Sequence, residues 1–316
     1  MSKKTSKSRI RQAKKQQKQQ RRIWGAGVAV AIAAIAALVL LISSNNRASV
    51  SFPDIHGMSF TGDGNQLRVA THTGIVSYED GSWSRPTLPI NDYMGYSGTE
   101  DGFFSSGHPG AGSNLINPIG LVRSQDFGAT VQTINFLGET DFHVMGASYY
   151  GDTVYVLNPS QNSLLTPGLH YSLDAGQNWE QSAASGLTAN PTQIAVHPTE
   201  PNLVALATQS GVFLSNDFGN TFSQATNTGA VTSIAFDPNG DRLLFGMDAL
   251  FEYDLQTGQS NPLPSTPQID AQQVIFYIGI NPVTDELAVS TSDRDLYYSH
   301  DGGETWTPIG ADGRSL

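Results

Sequence analysis

An eight-residue turn motif, Ser-x-Asp-x-Gly-x-x-Trp, recurs along this chain and constrains its fold more than any other feature. Six copies occur, two of them complete, at 78–83, 124–131, 172–179, 215–222, 253–258 and 299–306. In such a turn the Asp and Ser side chains bond to the backbone, Gly supplies a positive φ, and the aromatic residue packs beside the strands. We therefore assign a structural role to Asp126, Asp174, Trp179, Asp217, Asp301 and Trp306.

The spacing of the motif predicts the fold class. Copies follow one another at roughly 45 residues, a period typical of β-propeller blades. Between the copies, short β-branched runs alternate with Pro, Gly, Asn and Asp, as in antiparallel strands. Inner strands are predicted near 56–60, 94–97, 143–148, 193–196, 232–236 and 274–280. We predict an all-β fold, a six-bladed β-propeller over residues 54–316, with a seventh blade left open if residues 48–52 supply a closing strand.

The N-terminal region predicts a membrane anchor. Residues 1–22 contain ten Lys or Arg and no acid, which indicates a disordered tail. Residues 23–43 form an apolar stretch long enough to cross a bilayer as a transmembrane helix, and residues 44–53 are a linker. The basic residues keep the N-terminus in the cytoplasm, so the propeller is expected outside the cell membrane on a single-pass anchor. A cleaved signal peptide is the alternative.

The charge of the exported part limits its partners. Seven Arg and no Lys follow residue 22, against 28 acids, so the charge beyond the tail is 7 minus 28, or −21. Nucleic acid is excluded as a partner by this charge, whereas cations and neutral glycans are not repelled. The chain has no cysteine, which excludes disulfides, thiol catalysis and cysteine metal ligands.

Histidine and aspartate concentrate at one predicted mouth of the propeller. Asp54-Ile-His56-Gly-Met58 opens the inner strand of blade one, and Asp141-Phe-His143-Val-Met145 opens that of blade three. Asp92-Tyr-Met94 stands at the matching place in blade two. Period-two spacing predicts that each Asp, His and Met share one face of a strand. His72 and His108 follow the second strands of blades one and two, at the same mouth.

These residues form the candidate site. We expect His56, His72, His108, His143 and Asp92 to bind a ligand, and the four histidines to be potential ligands of a transition metal. Asp54 and Asp141 are orienting carboxylates or a catalytic pair. Met58, Met94 and Met145 favour copper among the metals. In the alternative interpretation, Met58 and Met145 are core residues of the inner strands, and the histidines are turn residues bonded to backbone. A structural role of this kind is assigned to His170, His197 and His300.

The turn motifs and the mouth residues give the chain a family resemblance. It resembles the BNR (Asp-box) repeat superfamily of WD40/YVTN/sialidase-like propellers, which includes sialidases, xyloglucan-active glycoside hydrolases, sortilin-type receptors and photosystem assembly factors. More narrowly, 54–57, 70–74, 106–109 and 141–143 resemble bacterial membrane-attached proteins labelled glycosyl hydrolase. A sialidase binds its substrate with three arginines. The seven arginines that follow residue 22 do not supply a channel-mouth arginine from each of three blades, so the resemblance does not extend to sialidase activity.

Three functions remain open at this point. The first is hydrolysis or binding of a glycan, with Asp54 and Asp141 as acid and base. The second is binding of a transition metal by the histidines. The third is a non-catalytic scaffold that binds a surface protein through an exposed apolar patch.

Overall fold

The computed structural model describes residues 49–85 and 90–316. The predicted basic tail and transmembrane helix, with the first half of the linker, lie outside these residues. Within the described part of the chain no helix is long and apolar enough to cross a membrane. The unit from Val50 to Leu316 is all β, as the repeat pattern predicted.

Six antiparallel sheets, each built from consecutive parts of the chain, make up this unit. The first three blades contain β1 (Ile55–Phe60), β2 (Leu67–Thr71), β3 (Gly74–Glu79) and β4 (Ser82–Ser84); β6 (Ser97–Thr99), β7 (Gly102–Ser105), β9 (Leu121–Ser124) and β10 (Gln132–Asn135); and β11 (Met145–Ala147), β12 (Val154–Asn158), β13 (Gly168–Ser172) and β14 (Glu180–Gln181). A separate two-stranded ribbon, β5 (Asp92–Tyr93) with β8 (Gly107–His108), accompanies blade two.

The remaining three blades follow the same pattern. They contain β15 (Pro191–Val196), β16 (Val204–Thr208), β17 (Gly211–Ser215) and β18 (Ser223–Gln224); β19 (Ser233–Phe236), β20 (Arg242–Gly246), β21 (Leu250–Asp254) and β22 (Gln259–Pro262); and β23 (Ile275–Ile280), β24 (Leu287–Thr291), β25 (Leu296–Ser299), β26 (Thr307–Ala311) and β27 (Arg314–Ser315). The inner strands β1, β6, β11, β15, β19 and β23 contact one another in a closed circle. The prediction of a six-bladed propeller is confirmed.

The N-terminal segment of the propeller closes the ring and does not begin a seventh blade. Ser51 bridges Arg314 at the edge of the sixth sheet. The amide of Phe52 donates to the carbonyl of Gly313 at 2.8 Å, and the amide of Ser315 donates to the carbonyl of Val50 at 2.9 Å. The alternative of a seventh blade is therefore wrong for the described residues, because the segment we considered for it pairs with blade six.

Hydrophobic clusters between neighbouring blades hold the ring together. Middle strands are covered on both faces, and every residue of β16 and of β24 is buried. Inner strands approach closely where a side chain is missing: a Cβ added at Gly98 in β6 would overlap the side chain of Ser59 in β1. Backbone pairing within blades and side-chain burial between blades thus fix where each inner strand begins, and with it the residues at the mouth.

The turn motifs make the same contacts in the two complete copies and in the partial copies at 124–131 and 215–222. In blade three, Ser172 Oγ donates to Asp174 Oδ1 at 2.8 Å and accepts from the amide of Gly176 at 2.8 Å. Asp174 Oδ1 also accepts from the amide of Asn178 at 2.8 Å. Gly176 has a φ of 84°, the left-handed region that favours glycine. The same hydrogen bonds recur around Asp126, Asp217 and Asp301. These aspartate side chains therefore stabilise the turns.

Candidate functional site

The mouth where inner strands begin carries all seven side chains of the candidate site. His56 lies in β1, two residues after Asp54, and His72 lies in the turn between β2 and β3. The ribbon supplies Asp92 from β5 and His108 from β8. The loop that leads into β11 supplies Asp141 and His143.

Two histidines and two aspartates from blades one and two form a first group. His56 Nε2 lies 3.4 Å from Asp92 Oδ1, and His72 Nδ1 lies 3.6 Å from Asp92 Oδ2. The other nitrogen of His72, Nε2, lies 3.4 Å from Asp54 Oδ2. One ligand atom each from Asp54, His56 and His72 fit within 4.8 Å of one another. This first group therefore brings imidazole nitrogens and carboxylate oxygens to one point.

Buried polar atoms in the first group lack hydrogen-bond partners. The side chain of His56 is 10% exposed and that of Asp92 is 15% exposed. Neither His56 Nε2 nor Asp92 Oδ1 has a hydrogen-bond partner among the described residues. A buried polar atom without a partner costs about 1–3 kcal/mol. These two atoms face each other at 3.4 Å, which lowers that cost without making a hydrogen bond, and a bound ion is one way to satisfy such groups.

Asp141 is the centre of a second group. Its Oδ2 lies 2.7 Å from His143 Nε2 and 3.2 Å from His108 Nε2. His108 Nδ1 in turn forms a hydrogen bond with Asn117 Oδ1 at 2.7 Å. The carboxylate of Asp141 is 13% exposed, while the ring of His143 is 59% exposed. The second group thus places an exposed imidazole on a largely buried carboxylate.

The ribbon joins the two groups. Asp92 in β5 and His108 in β8 are directly opposite each other in the antiparallel pair. Directly opposite residues of such a pair project their side chains from the same face, close to each other. Asp92 contacts the histidines of the first group, whereas His108 contacts Asp141 of the second. The structure therefore divides the four histidines into two adjacent groups, where the sequence suggested a single cluster.

The shared-face prediction for Asp, His and Met is wrong in both blades. In β1 the pairing register shifts between Ile55 and Gly57, so period-two spacing does not hold there. In blade three the inner strand begins only at Met145, so Asp141 and His143 belong to the preceding loop. The inner strand of blade two likewise begins at Ser97, later than predicted.

Met58 and Met145 do not support copper. Met58 and Met145 are buried in the hydrophobic clusters of blades one and three. The remaining histidines have structural contacts away from this site. Buried His170 bonds the carbonyl of Thr166 at 2.8 Å, buried His197 bonds that of Gly240 at 3.0 Å, and exposed His300 pairs with Glu286 at 2.7 Å.

A central channel opens beside the site. It encloses 640 Å³ and is lined mainly by residues of the inner strands, among them His56, and by His143 from the loop before β11. Phe276 of β23 also lines it and is 41% exposed, although nothing in the turn motifs or the histidine pattern marked it. The next residue, Tyr277, lies near Asp54; burial, together with that carboxylate charge, raises the pKa of its hydroxyl. The available signal was an aromatic pair inside a predicted inner strand.

Comparison with known proteins identifies the repeat. The BNR/Asp-box repeat family matches residues 297–308, which span the last complete turn motif. This chain is therefore a β-propeller with BNR/Asp-box repeats, as its motifs indicated. A probable oligoxyloglucan-reducing end-specific xyloglucanase of Neosartorya fischeri is 26% identical over 210 residues, which cover 60% of this chain and 24% of that protein.

Two solved structures share the fold. The GH74 xyloglucanase of Xanthomonas campestris superposes with a TM-score of 0.52 at 16% identity, covering 84% of this chain and 46% of that one. The GH74 enzyme of Niastella koreensis superposes with a TM-score of 0.54 at 13% identity, covering 83% and 46%. This chain thus spans about a quarter of the curated relative and under half of each enzyme. The likeness to the two structures shows the fold alone.

Proposed function

We propose that this propeller binds a divalent transition metal at its mouth through Asp54, His56 and His72. The observation that carries the proposal is the convergence of their three ligand atoms within 4.8 Å, at a His56 side chain that is nine-tenths buried. Two imidazoles and one carboxylate suit zinc and non-haem iron. The charge of −21 beyond the basic tail attracts cations to this surface.

The spacing of the pairs supports a metal more than direct ion pairs. Two ligand atoms on a tetrahedral zinc with bonds of ~2.1 Å are about 3.4 Å apart. His72 Nε2 and Asp54 Oδ2 have that separation, which is longer than a charge-assisted hydrogen bond. Both side chains are about half exposed, 45% and 56%, so they can shift by a few tenths of an ångström around an ion.

Asp92 positions the imidazoles in this proposal. Histidines that bind a metal through one ring nitrogen usually donate the other N–H to a carboxylate. Asp92 faces His56 Nε2 and His72 Nδ1 with its two oxygens. His72 then binds the ion through Nε2, and His56 binds it through the nitrogen that does not face Asp92. The contact between Asp92 and both rings explains why a carboxylate is buried at this place.

Three protein ligands leave coordination positions for water or a ligand, the arrangement of a reactive rather than a structural zinc site.

The location that we propose for the propeller is extracytoplasmic, with the predicted helix at 23–43 anchoring the propeller to the cell membrane. The support for this location is the apolar stretch and the basic residues before it.

Metal analysis of the full-length protein tests the proposal. The protein is purified without a histidine tag, equilibrated with zinc, copper or iron(II), dialysed and analysed for metal. We expect about one zinc per chain, and loss of that zinc in His56→Ala and His72→Ala. His300→Ala is the matched control, because His300 also pairs with a carboxylate but lies on an outer turn. Metal-free wild-type protein, or equal metal in all four proteins, refutes the proposal.

Glycan binding in the channel is a second candidate function. Its support is the relative from Neosartorya fischeri named as a xyloglucanase, together with the exposed ring of Phe276 in the channel. Aromatic rings of this kind present an apolar face to a ligand. A screen of neutral glycans against wild type and Phe276→Ala tests this function. We expect binding that weakens in the variant; no binding of any glycan by wild type refutes it.

A further inference from the structure

The Asp141–His143 pair has the geometry of a proton-transfer group. His143 Nε2 lies 2.7 Å from Asp141 Oδ2, a short contact of the kind made by charged partners. With its proton on Nε2, the ring keeps Nδ1 as an acceptor, since a neutral imidazole donates from one nitrogen and accepts at the other. The ring is 59% exposed and lines the channel, so the imidazole is accessible to a bound molecule.

The surroundings of this pair hold it in place. Asp141 is 13% exposed and also contacts His108, which is held by Asn117. Between the pair, the amide of Phe142 donates to Ser106 Oγ at 2.9 Å, and the ring of Phe142 is fully buried. A base whose carboxylate partner and backbone are fixed in this way resembles the orienting arrangement of a catalytic dyad.

The pair stands beside the proposed metal site. His56 and His143 line the same channel, and the ribbon pairs Asp92 of the first group directly with His108 of the second. A metal ion with open positions polarises a carbonyl and lowers the pKa of bound water. A neighbouring imidazole then removes the proton of that water. These are the parts of a hydrolytic site.

We infer that this mouth catalyses metal-dependent hydrolysis of carboxylic esters, with His143 as general base and Asp141 as the residue that positions it. The inference rests on the metal-binding function proposed above. In the reaction, water oxygen bonds to the acyl carbon as its proton passes to His143 Nδ1. The bond from acyl carbon to alkoxy oxygen then breaks, and His143 returns the proton to that oxygen, giving a carboxylic acid and an alcohol.

The donor groups favour esters over two other substrate classes. Glycosidic bonds are usually hydrolysed by two free carboxyl groups, one of which must donate a proton. Here Asp54 is assigned to the metal and Asp141 contacts two imidazoles, so neither is free for that work. Phosphate esters are anions and are repelled by the acidic surface of the exported part. Esters of neutral alcohols, including carbohydrate hydroxyls, meet neither obstacle.

Hydrolysis of 4-nitrophenyl acetate by the full-length, zinc-loaded protein tests the inference. We expect turnover that requires zinc and falls by about 100-fold or more in kcat for His143→Ala, the range for loss of a general base. Added imidazole is expected to restore part of that rate, because it replaces the missing group. Asp141→Asn is expected to lower kcat with an unchanged KM, since it disturbs the orientation of the base and not substrate binding.

Zinc content separates failure of this inference from failure of the metal site. We expect His143→Ala, Asp141→Asn and the control His300→Ala to retain the zinc of wild type, and His300→Ala to retain its rate. If the protein holds zinc but hydrolyses the ester no faster than metal-free protein, or if His143→Ala keeps the full kcat, the inference is overturned while metal binding stands. If wild type holds no zinc, both proposals fall together.

Discussion

The imidazole rings of His56 and His72 stack, with centroids 4.6 Å apart and planes inclined by 27°. His56 comes from the inner strand of blade one, and His72 comes from the turn that follows its second strand. Antiparallel pairing of those strands, with Ile55 opposite Thr71, places the two rings side by side. The stack directs ring nitrogens toward Asp54 and Asp92, which is the basis of the proposed metal site.

Zinc is expected to stabilise the folded protein. A ligand that binds only the folded state at 100 times its Kd adds about 2.7 kcal/mol of stability. We therefore expect the Tm of the full-length protein to rise by several degrees in zinc, as followed by circular dichroism. His72→Ala is expected to remove this rise and His300→Ala to keep it. An equal rise in both variants indicates zinc binding elsewhere on the chain.

The turn motifs are expected to make stability fall in acid. Side-chain and backbone donors of Asn178, with Ser172, lower the pKa of Asp174 to about 2, and Thr305 and Ser299 do the same for Asp301. An unfolded Asp titrates near pH ~3.9. The folded state thus favours the charged form, so this stability is fully present above pH ~4 and is lost as the pH falls toward 2.

Thermal unfolding between pH 5 and pH 2 measures this effect. Asp174→Asn cannot titrate at that position, so its Tm is expected to fall less steeply with acid than that of wild type. An identical slope for both proteins means that the hydrogen bonds at Asp174 do not favour the charged form.

Close packing of inner strands predicts a difference between two glycines. A Cβ at Gly98 in β6 would overlap Ser59, whereas a Cβ at Gly279 in β23 would meet its nearest atom, in Leu67, at 3.4 Å. We expect Gly98→Ala to destabilise the propeller by about 1–3 kcal/mol, as overpacking does. Gly279→Ala is the matched control and is expected to cost less. Urea unfolding compares them; equal midpoints show that the strands adjust to the added methyl group.

Ring closure is expected to depend on Phe52. This side chain is fully buried, its ring centroid lies 5.0 Å from that of Trp83, and its amide bonds Gly313. Replacing a buried Phe by Ala costs about 3–5 kcal/mol. We expect Phe52→Ala to lower the urea midpoint strongly and Leu173→Ala, at a side chain 49% exposed, to leave it nearly unchanged. If the urea midpoint of Phe52→Ala falls only slightly, closure of the ring at blade six does not depend on this side chain.

The blades were predictable from the sequence because each repeats one turn and its bonds. Ser, Asp and Gly at fixed spacing can make only a narrow range of turns, and copies such as 172–179 and 299–306 set the period. The same repetition aligned His72 and His108 with the starts of the inner strands, which is why the sequence alone suggested one mouth. No described residue tests the anchor at 23–43, which stays a prediction.

The division of the site into two groups was not predictable. It depends on β5 and β8, two strands of two residues each, which are too short to show any periodic pattern. The register shift between Ile55 and Gly57 was also not predicted, although a glycine inside a strand often marks such a shift. The exposed position of Phe276 was not predicted from the sequence. The pairing register of β23 shifts between Ile275 and Tyr277, and the regular alternation of buried and exposed residues is interrupted in this strand.

Anomalous diffraction at the zinc absorption edge, from crystals of the zinc-loaded protein, tests the central claim most directly. The account predicts one strong peak about 2.0–2.2 Å from His72 Nε2, with His56 and Asp54 as the other protein ligands. It also predicts that the Nδ1 of His72 then approaches Asp92 within hydrogen-bond distance. A peak at other residues, or no peak at this mouth in crystals that contain zinc, contradicts the account.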